Sequence, residues 1–281
     1  MRRSSNFLDL EEELIMVEKT LVKVEKDGGV AVFTLDDPPA NTYTHEMMKQ
    51  LDAAIVDARF DNDVSVIVLR GAGDKFFCAG ANIDMLQKSD PTWKYFFCLH
   101  ANETLSRLEH TPKLVIAALN GHTVGGGLEV AMAADLRIAR KGAGKVGLPE
   151  VTLGVLPGTG GTQRLTRLVG KSKAIELMAE GGNFEMDQAA SLGIVNKVFE
   201  ADSTDAFMEQ VMDYARQFTT PGKAAMAVGH IKRACQSGAE VSLEQGLAIE
   251  RELQAKLFSS ADAKEGLTAF VEKRKPQFAG K

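Results

Sequence analysis

The sequence predicts an α/β fold followed by a helical C-terminal portion, on two observations. Short apolar runs closed by glycine, asparagine or proline alternate with stretches of helical period up to about residue 140, and from about Thr162 the chain is nearly all helix-like. The apolar runs are continuous rather than alternating, as expected of parallel strands buried on both faces and joined by right-handed crossovers. Composition agrees. A chain of 281 residues with 44% hydrophobic, 25% charged, 26 Gly and 8 Pro is globular, which excludes disorder, collagen and coiled coil as whole-chain descriptions.

Element by element, Leu21 to Val24 and Val30 to Leu35 flank Asp27-Gly28-Gly29 and predict a hairpin, closed by Asp36-Asp37-Pro38-Pro39. His45 to Phe60 places Met47, Met48, Leu51, Ala54, Ile55 and Ala58 on one helical face. Val64 to Leu69 is a buried-strand run ending at Gly71, Trp93 to Leu108 a helix stopped by Pro112, and Leu114 to Leu119 a second buried strand ended by Asn120-Gly121. Leu128 to Ala134 and Leu136 to Ala139 give a further helix and strand. Helices follow at Lys171 to Ala179, Ala206 to Phe218, Lys223 to Cys235, Leu243 to Phe258 and Ala261 to Lys273, with one strand-like piece at Ile194 to Phe199. The organisation expected is an acidic extension over 1–18, an α/β core over 19–205 and a helical region over 206–281.

Charge and cysteine content exclude several roles. With 33 Lys plus Arg against 38 Asp plus Glu, the formal net charge of -5 disfavours nucleic acid as the main partner, and no interleaved basic and aromatic stripe is present. Cys78, Cys98 and Cys235 are too few and scattered for a disulfide scaffold and lack zinc-ligand spacing, so a reducing, cytoplasmic location is expected. The acids at Asp9, Glu11, Glu12 and Glu13 argue against a leader peptide, and no apolar run approaches the roughly 18 residues that span a bilayer.

Three segments stand out chemically. Phe76 to Ile83 passes through Cys78-Ala79-Gly80-Ala81, small residues that let a ligand approach the backbone; alone it equally describes a tight corner with Phe76 and Phe77 in the core. Asn120 to Glu129 carries Gly125-Gly126-Gly127 into a helix, where Glu129 has a plain alternative role in complementing the helix dipole. Leu148-Pro149-Glu150, followed by Gly154 to Arg164, sets a carboxylate among apolar and glycine-rich neighbours, either half-desolvated with a raised pKa or simply at the surface. A phosphate loop is excluded, because Leu165 stands where Gly170-Lys171-Ser172 would need a glycine. Nucleophile-elbow, His-Glu-x-x-His, dinucleotide and EF-hand patterns are absent, and the 5 histidines lack ligand spacing, so no metal is expected.

Together, over roughly residues 20 to 281, these segments resemble the crotonase, or enoyl-CoA hydratase/isomerase, superfamily. Cys78 to Ala81 is similar to its first oxyanion-hole turn, Asn120 to Glu129 to its second, Leu148 to Leu165 to its second catalytic segment, and Ala269 to Pro276 to the C-terminus of true hydratases. The resemblance implies a spiral of repeated β-β-α turns with a C-terminal helical region that forms trimers or hexamers. It implies catalytic Glu129 and Glu150, oxyanion donors at the Ala81 and Gly126 amides, and substrate contacts from Ala79, Ala81, Asn82, Ile83, Gly126 and Gly158. No cofactor is implied, since CoA is part of the substrate, and Lys75, Lys88, Lys273 and Arg274 are available for its phosphates. The two glutamates point to hydration of an enoyl-CoA; enoyl isomerisation, 3-methylglutaconyl-CoA hydration, and an RNA-binding or non-catalytic role are the alternatives. Three departures are Asn82 in place of a usual aspartate, Val146 in place of a common phenylalanine, and a longer Arg140 to Lys145 loop. The aromatic stretch Trp93 to Phe97 has two readings, an acyl tunnel or an amphipathic helix face.

Overall fold

The computed structural model describes residues 19–281. The extension expected over 1–18 lies outside the described residues. In chain order the elements are β1 (Val22–Asp27), β2 (Val30–Leu35), α1 (His45–Phe60), β3 (Val66–Gly71), β4 (Phe76–Cys78), α2 (Ile83–Lys88), α3 (Pro91–His110), β5 (Leu114–Leu119), β6 (His122–Val124), α4 (Gly126–Met132), β7 (Leu136–Arg140) and β8 (Lys145–Gly147). After a 3-10 turn at Glu150–Leu153 come α5 (Gly161–Val169), α6 (Lys171–Glu180), β9 (Asn183–Glu185), α7 (Met186–Ser191), β10 (Lys197–Phe199), α8 (Thr204–Arg216), α9 (Ala225–Gly238), α10 (Leu243–Phe258) and α11 (Ala261–Val271).

Two sheets carry the architecture. The larger has the order β1-β2-β3-β5-β7-β10, antiparallel only at the β1–β2 hairpin; the smaller has the order β4-β6-β8-β9, antiparallel only at β9. Each turn of the coil therefore runs from a long strand of the first sheet into a short strand of the second and then into a helix or 3-10 turn: β3-β4-α2, β5-β6-α4, and β7-β8 into Glu150.

The large sheet is buried on both faces, as its continuous apolar runs predict. Ile67 and Leu69 of β3 join the cluster under α1 and α3, while Val66 and Val68 face Phe207, Met208 and Val211 of α8. Each such side chain contributes about 1.5–3 kcal/mol by leaving water. α1 starts where Thr44 accepts from the Met47 amide, and its buried face is the six residues expected of it. At the free edge, β1 buries Val22 and exposes Lys23 to Asp27, a charged rim that discourages further pairing.

Passage between the sheets is held by two asparagines. Asn120 accepts from the Gly71 amide and donates to the Gly71 and Gly73 carbonyls, and Asn41 donates to the carbonyls of Ala72 and Phe76. A Cβ at Gly121 would lie 2.4 Å from the Lys75 carbonyl, so the β5–β6 corner can cross the β3–β4 corner only at glycine.

Three expectations are corrected. The corner read at Phe76 to Ile83 opens with a short strand, β4, before the turn at 79–82 leads into α2; Phe77 is buried, as expected, but Phe76 is only half-buried, against the His122 ring at 5.3 Å. The strand-like piece at Ile194 to Phe199 shortens to Lys197–Phe199, because the Ile194 and Val195 amides both turn back onto the Ala189 carbonyl. A further strand, β9, interrupts the region expected to be otherwise helical. No helix among the described residues is long and apolar enough to cross a membrane.

Candidate active site

The ends of β4, β6 and β8 come together because those strands are neighbours in one sheet, and their following turns wall a cleft of about 530 Å³. From the β4 end come Ala79, Gly80, Ala81 and Ile83; from the β6 end Val124, Gly125, Gly126 and Glu129; from the β8 end Pro149, Glu150, Leu153, Val155, Leu156, Gly158 and Thr159.

Two amides at this junction carry no acceptor among the described residues. Tyr43 forms a parallel bridge with Ala81 in which its amide donates to the Gly80 carbonyl at 2.9 Å and the Asn82 amide donates to its carbonyl at 3.0 Å. The bridge thus takes the groups on either side of Ala81 and leaves the Ala81 N–H out. Gly126 opens α4, where a first-turn N–H has no intrahelical acceptor. The adjacent Gly125 takes a left-handed φ of 57° and donates to the Gly147 carbonyl at 2.8 Å, tying the β6 end to the β8 end.

The two glutamates are held differently. Glu129 is buried, and its Oε1 accepts from the Thr159 and Gly161 amides, both at 2.7 Å. Burial pushes its carboxyl above the usual range, opposed by those two amides and by the positive charge of Arg164. Arg164 grips the same loop from behind, donating to the Thr159 carbonyl at 3.2 Å while paired with Glu109 at 2.8 and 2.5 Å. Glu150 opens the 3-10 turn, and its buried Oε2 has no hydrogen-bond partner among the described residues. Burial, aided by the nearby Glu129 charge, raises its pKa to about 7.

Of the residues expected from sequence, Ala79, Ala81, Ile83, Gly126, Glu129, Glu150 and Gly158 all line this cleft. Asn82 does not. Its side chain accepts from the Met85 amide at 2.9 Å as the N-cap of α2, which explains an asparagine there without any contact to the cleft. Trp93 and Phe97 stack on each other at 5.3 Å, and Tyr95 and Phe96 face outward, so this stretch is a packing face; Lys94 is the member that reaches the cleft. Arg274 is engaged by Glu265 and Glu272, and neither it nor Lys75, Lys88 or Lys273 lines the cleft. Sequence reading missed Tyr43, which lies between the hairpin and α1 in no recognisable motif, and gave no separate role to Thr159. Among the described residues no cluster of three or more His, Cys, Asp or Glu could hold a metal ion.

The sequence model of the enoyl-CoA hydratase/isomerase family matches residues 25–281. The chain belongs to this family. Relatives within it include the short-chain-enoyl-CoA hydratase of Clostridium acetobutylicum, 39% identical over 260 residues that cover 92% of this chain and 97% of that one. The crotonyl-CoA hydratase of Syntrophomonas wolfei is 35% identical over 259 residues, covering 92% and 97%. The crystal structure of an enoyl-CoA hydratase from Geobacillus kaustophilus superposes with a TM-score of 0.90 at 45% identity, covering 94% of this chain and 98% of that one. The β-β-α coil described above is the fold of this family.

Proposed function

We propose that the enzyme, an enoyl-CoA hydratase and so a hydro-lyase, reversibly adds water syn across a trans-2-enoyl-CoA to give a 3-hydroxyacyl-CoA. The observation that carries the mechanism is the convergence on one cleft of two unused backbone amides, a buried carboxyl and a half-buried one, in unequal environments.

The thioester oxygen accepts from the Ala81 and Gly126 amides. Each such preorganised donor is worth about 10²–10³ in rate where charge develops on that oxygen. Glu129, kept usable as a carboxylate by two amides, takes a proton from water as its oxygen bonds to C3, and the π electrons shift toward the thioester oxygen. Glu150, whose raised pKa suits a general acid, then delivers a proton to C2 as the enolate collapses. One proton has entered Glu129 and one has left Glu150, so their exchange through cleft water restores the starting state.

Ala79, Ile83 and Gly158 border the substrate, and no metal or redox cofactor takes part, CoA being a portion of the substrate. Exposed apolar side chains on the C-terminal helices, including Leu243, Leu267, Phe270 and Val271, support assembly as a trimer or hexamer. Free thiols at Cys78, Cys98 and Cys235 support a cytoplasmic, reducing setting.

The test is to add the protein to crotonyl-CoA, follow loss of the conjugated enoyl absorbance, and weigh the product. Gain of one water supports the proposal. Absence of turnover, or a product of unchanged mass from an isomerisable enoyl-CoA, overturns it.

A further inference from the structure

Tyr43 touches three separate parts of the site yet has no place in the hydration steps above. Its backbone braces the Ala81 turn, and its ring stacks on Phe97 at 6.0 Å. Its hydroxyl lies against Gly126, where an added Cβ would be 2.2 Å from Oη, and meets the Thr159 hydroxyl at 2.9 Å. Thr159 in turn gives its amide to Glu129 Oε1 at 2.7 Å.

We propose that Tyr43 is a positioning residue for Glu129: the hydrogen bond between its phenol and the Thr159 hydroxyl fixes the residue whose amide holds Glu129 Oε1, and so keeps Glu129 charged and correctly aimed as the base. The inference rests on the assignment of Glu129 given above.

Either hydroxyl can donate to the other, and the link holds the Thr159 side chain, and with it the amide given to Glu129, in both cases. Tyrosine keeps its proton, because burial and then the Glu129 charge push its ionisation well above the ordinary range. Tyr43, Thr159 and Glu129 are each 2% exposed, so bulk water cannot replace a lost link. The other charged or titratable groups facing this cluster are Arg164 behind the loop, Glu150 across the cleft, and Cys78 and Cys98 beside the phenol.

Replacing Tyr43→Phe removes one oxygen and leaves the ring on Phe97. Its kcat for crotonyl-CoA should fall about tenfold, equivalent to about 1.4 kcal/mol, with KM within about twofold. The acidic limb of its pH profile should move to higher pH, since a carboxylate whose amide donor is loosened is protonated more readily. Thr159→Val should match it, Thr159→Ser should restore most of the lost kcat, and Tyr43→Phe with Thr159→Val should be no worse than either alone, as for links of one chain. If Tyr43→Phe folds poorly, the Val and Ser variants carry the comparison.

A kcat within about twofold of the parent with an unmoved acidic limb overturns the proposal, as does a rise in KM alone, which would make Tyr43 only a wall of the cleft. Isotope-edited infrared titration of Glu129 in the parent and Tyr43→Phe proteins needs no turnover. It therefore separates failure of this inference from failure of the hydratase reading.

Discussion

Glu129 and Glu150 face the same cleft but are unequally bound to it: one has an oxygen fixed by two amides at 2.7 Å, the other a buried oxygen with no partner among the described residues. That asymmetry separates a group suited to accept a proton from one suited to supply it.

Hydration should respond to pH through Glu150. Its acidic form is the one required, so kcat/KM for crotonyl-CoA should decline as pH rises through about 7, the value to which burial has raised it. Dehydration of 3-hydroxybutyryl-CoA starts from the same pair of glutamates carrying one proton, and the overall reaction takes up none, so its kcat/KM should decline over the same interval. Initial rates in both directions between pH 5.5 and about 9 check this, and a hydration kcat/KM that stays flat as pH rises through about 7 would sink the assignment.

Stability should carry the same signature. A carboxyl raised from 4.5 to about 7 on folding contributes stability that is fully present below its unfolded value and lost as pH rises through about 7. Glu150→Gln removes the buried charge, so its unfolding midpoint at pH 8 should exceed the parent's by about 2–4 °C. That corresponds to about 1 kcal/mol after allowing for the carboxyl's partial exposure. The gain should shrink toward pH 5, as scanning calorimetry at both values will show.

Gly161→Ala tests the seat of Glu129. The new Cβ would lie 2.7 Å from the Pro157 Cβ and 2.9 Å from Glu129 Oε1, so the carboxylate or the loop must move. We expect kcat to drop at least about 10²-fold, in keeping with the sensitivity of rate to misplacement by about 1 Å. Steady-state kinetics together with a circular dichroism melt distinguish this from simple unfolding.

Away from the cleft, Lys232 of α9 is buried against Asp135 at 2.9 Å and donates to the carbonyls of Leu108 and Lys113 at 3.2 and 3.0 Å. Burial draws both charges toward neutrality while their pairing opposes it. Lys232→Met leaves Asp135 unpaired and should cost about 3–5 kcal/mol in urea unfolding. A loss below about 1 kcal/mol would show that the pair does little for the fold.

Much of this was legible in the sequence, for physical reasons. The strands of the large sheet announce themselves because both faces are buried, and α1 because its six buried residues keep strict helical spacing. The small sheet was not legible: β4, β6, β8 and β9 are three residues long, too short to show any period, and their order depends on crossovers set elsewhere. Glu129, Glu150, Ala81 and Gly126 were assigned through the family resemblance, since their glycine-rich or small-residue contexts alone left a tight corner, a dipole-complementing glutamate and a surface acid equally open; the fold lines one cleft with all four. Asn82 was placed on the substrate by its position in a motif, whereas its cap bond to Met85 is a local matter that the motif does not reveal. Tyr43 is 116 residues from Thr159, and only the folded coil brings the two hydroxyls together.

The small sheet also works as a ruler. Hydrogen-bonded strands lie about 4.8 Å apart, so the tips that follow β4 and β6 differ by one such step and the tip that follows β8 by one more. That interval is set by main-chain bonding and not by any side chain. A change of residue at one tip therefore alters what is presented there while the gauge between the three positions stays the same, so the acid at the third tip can be exchanged without re-cutting the cradle for the carbonyl.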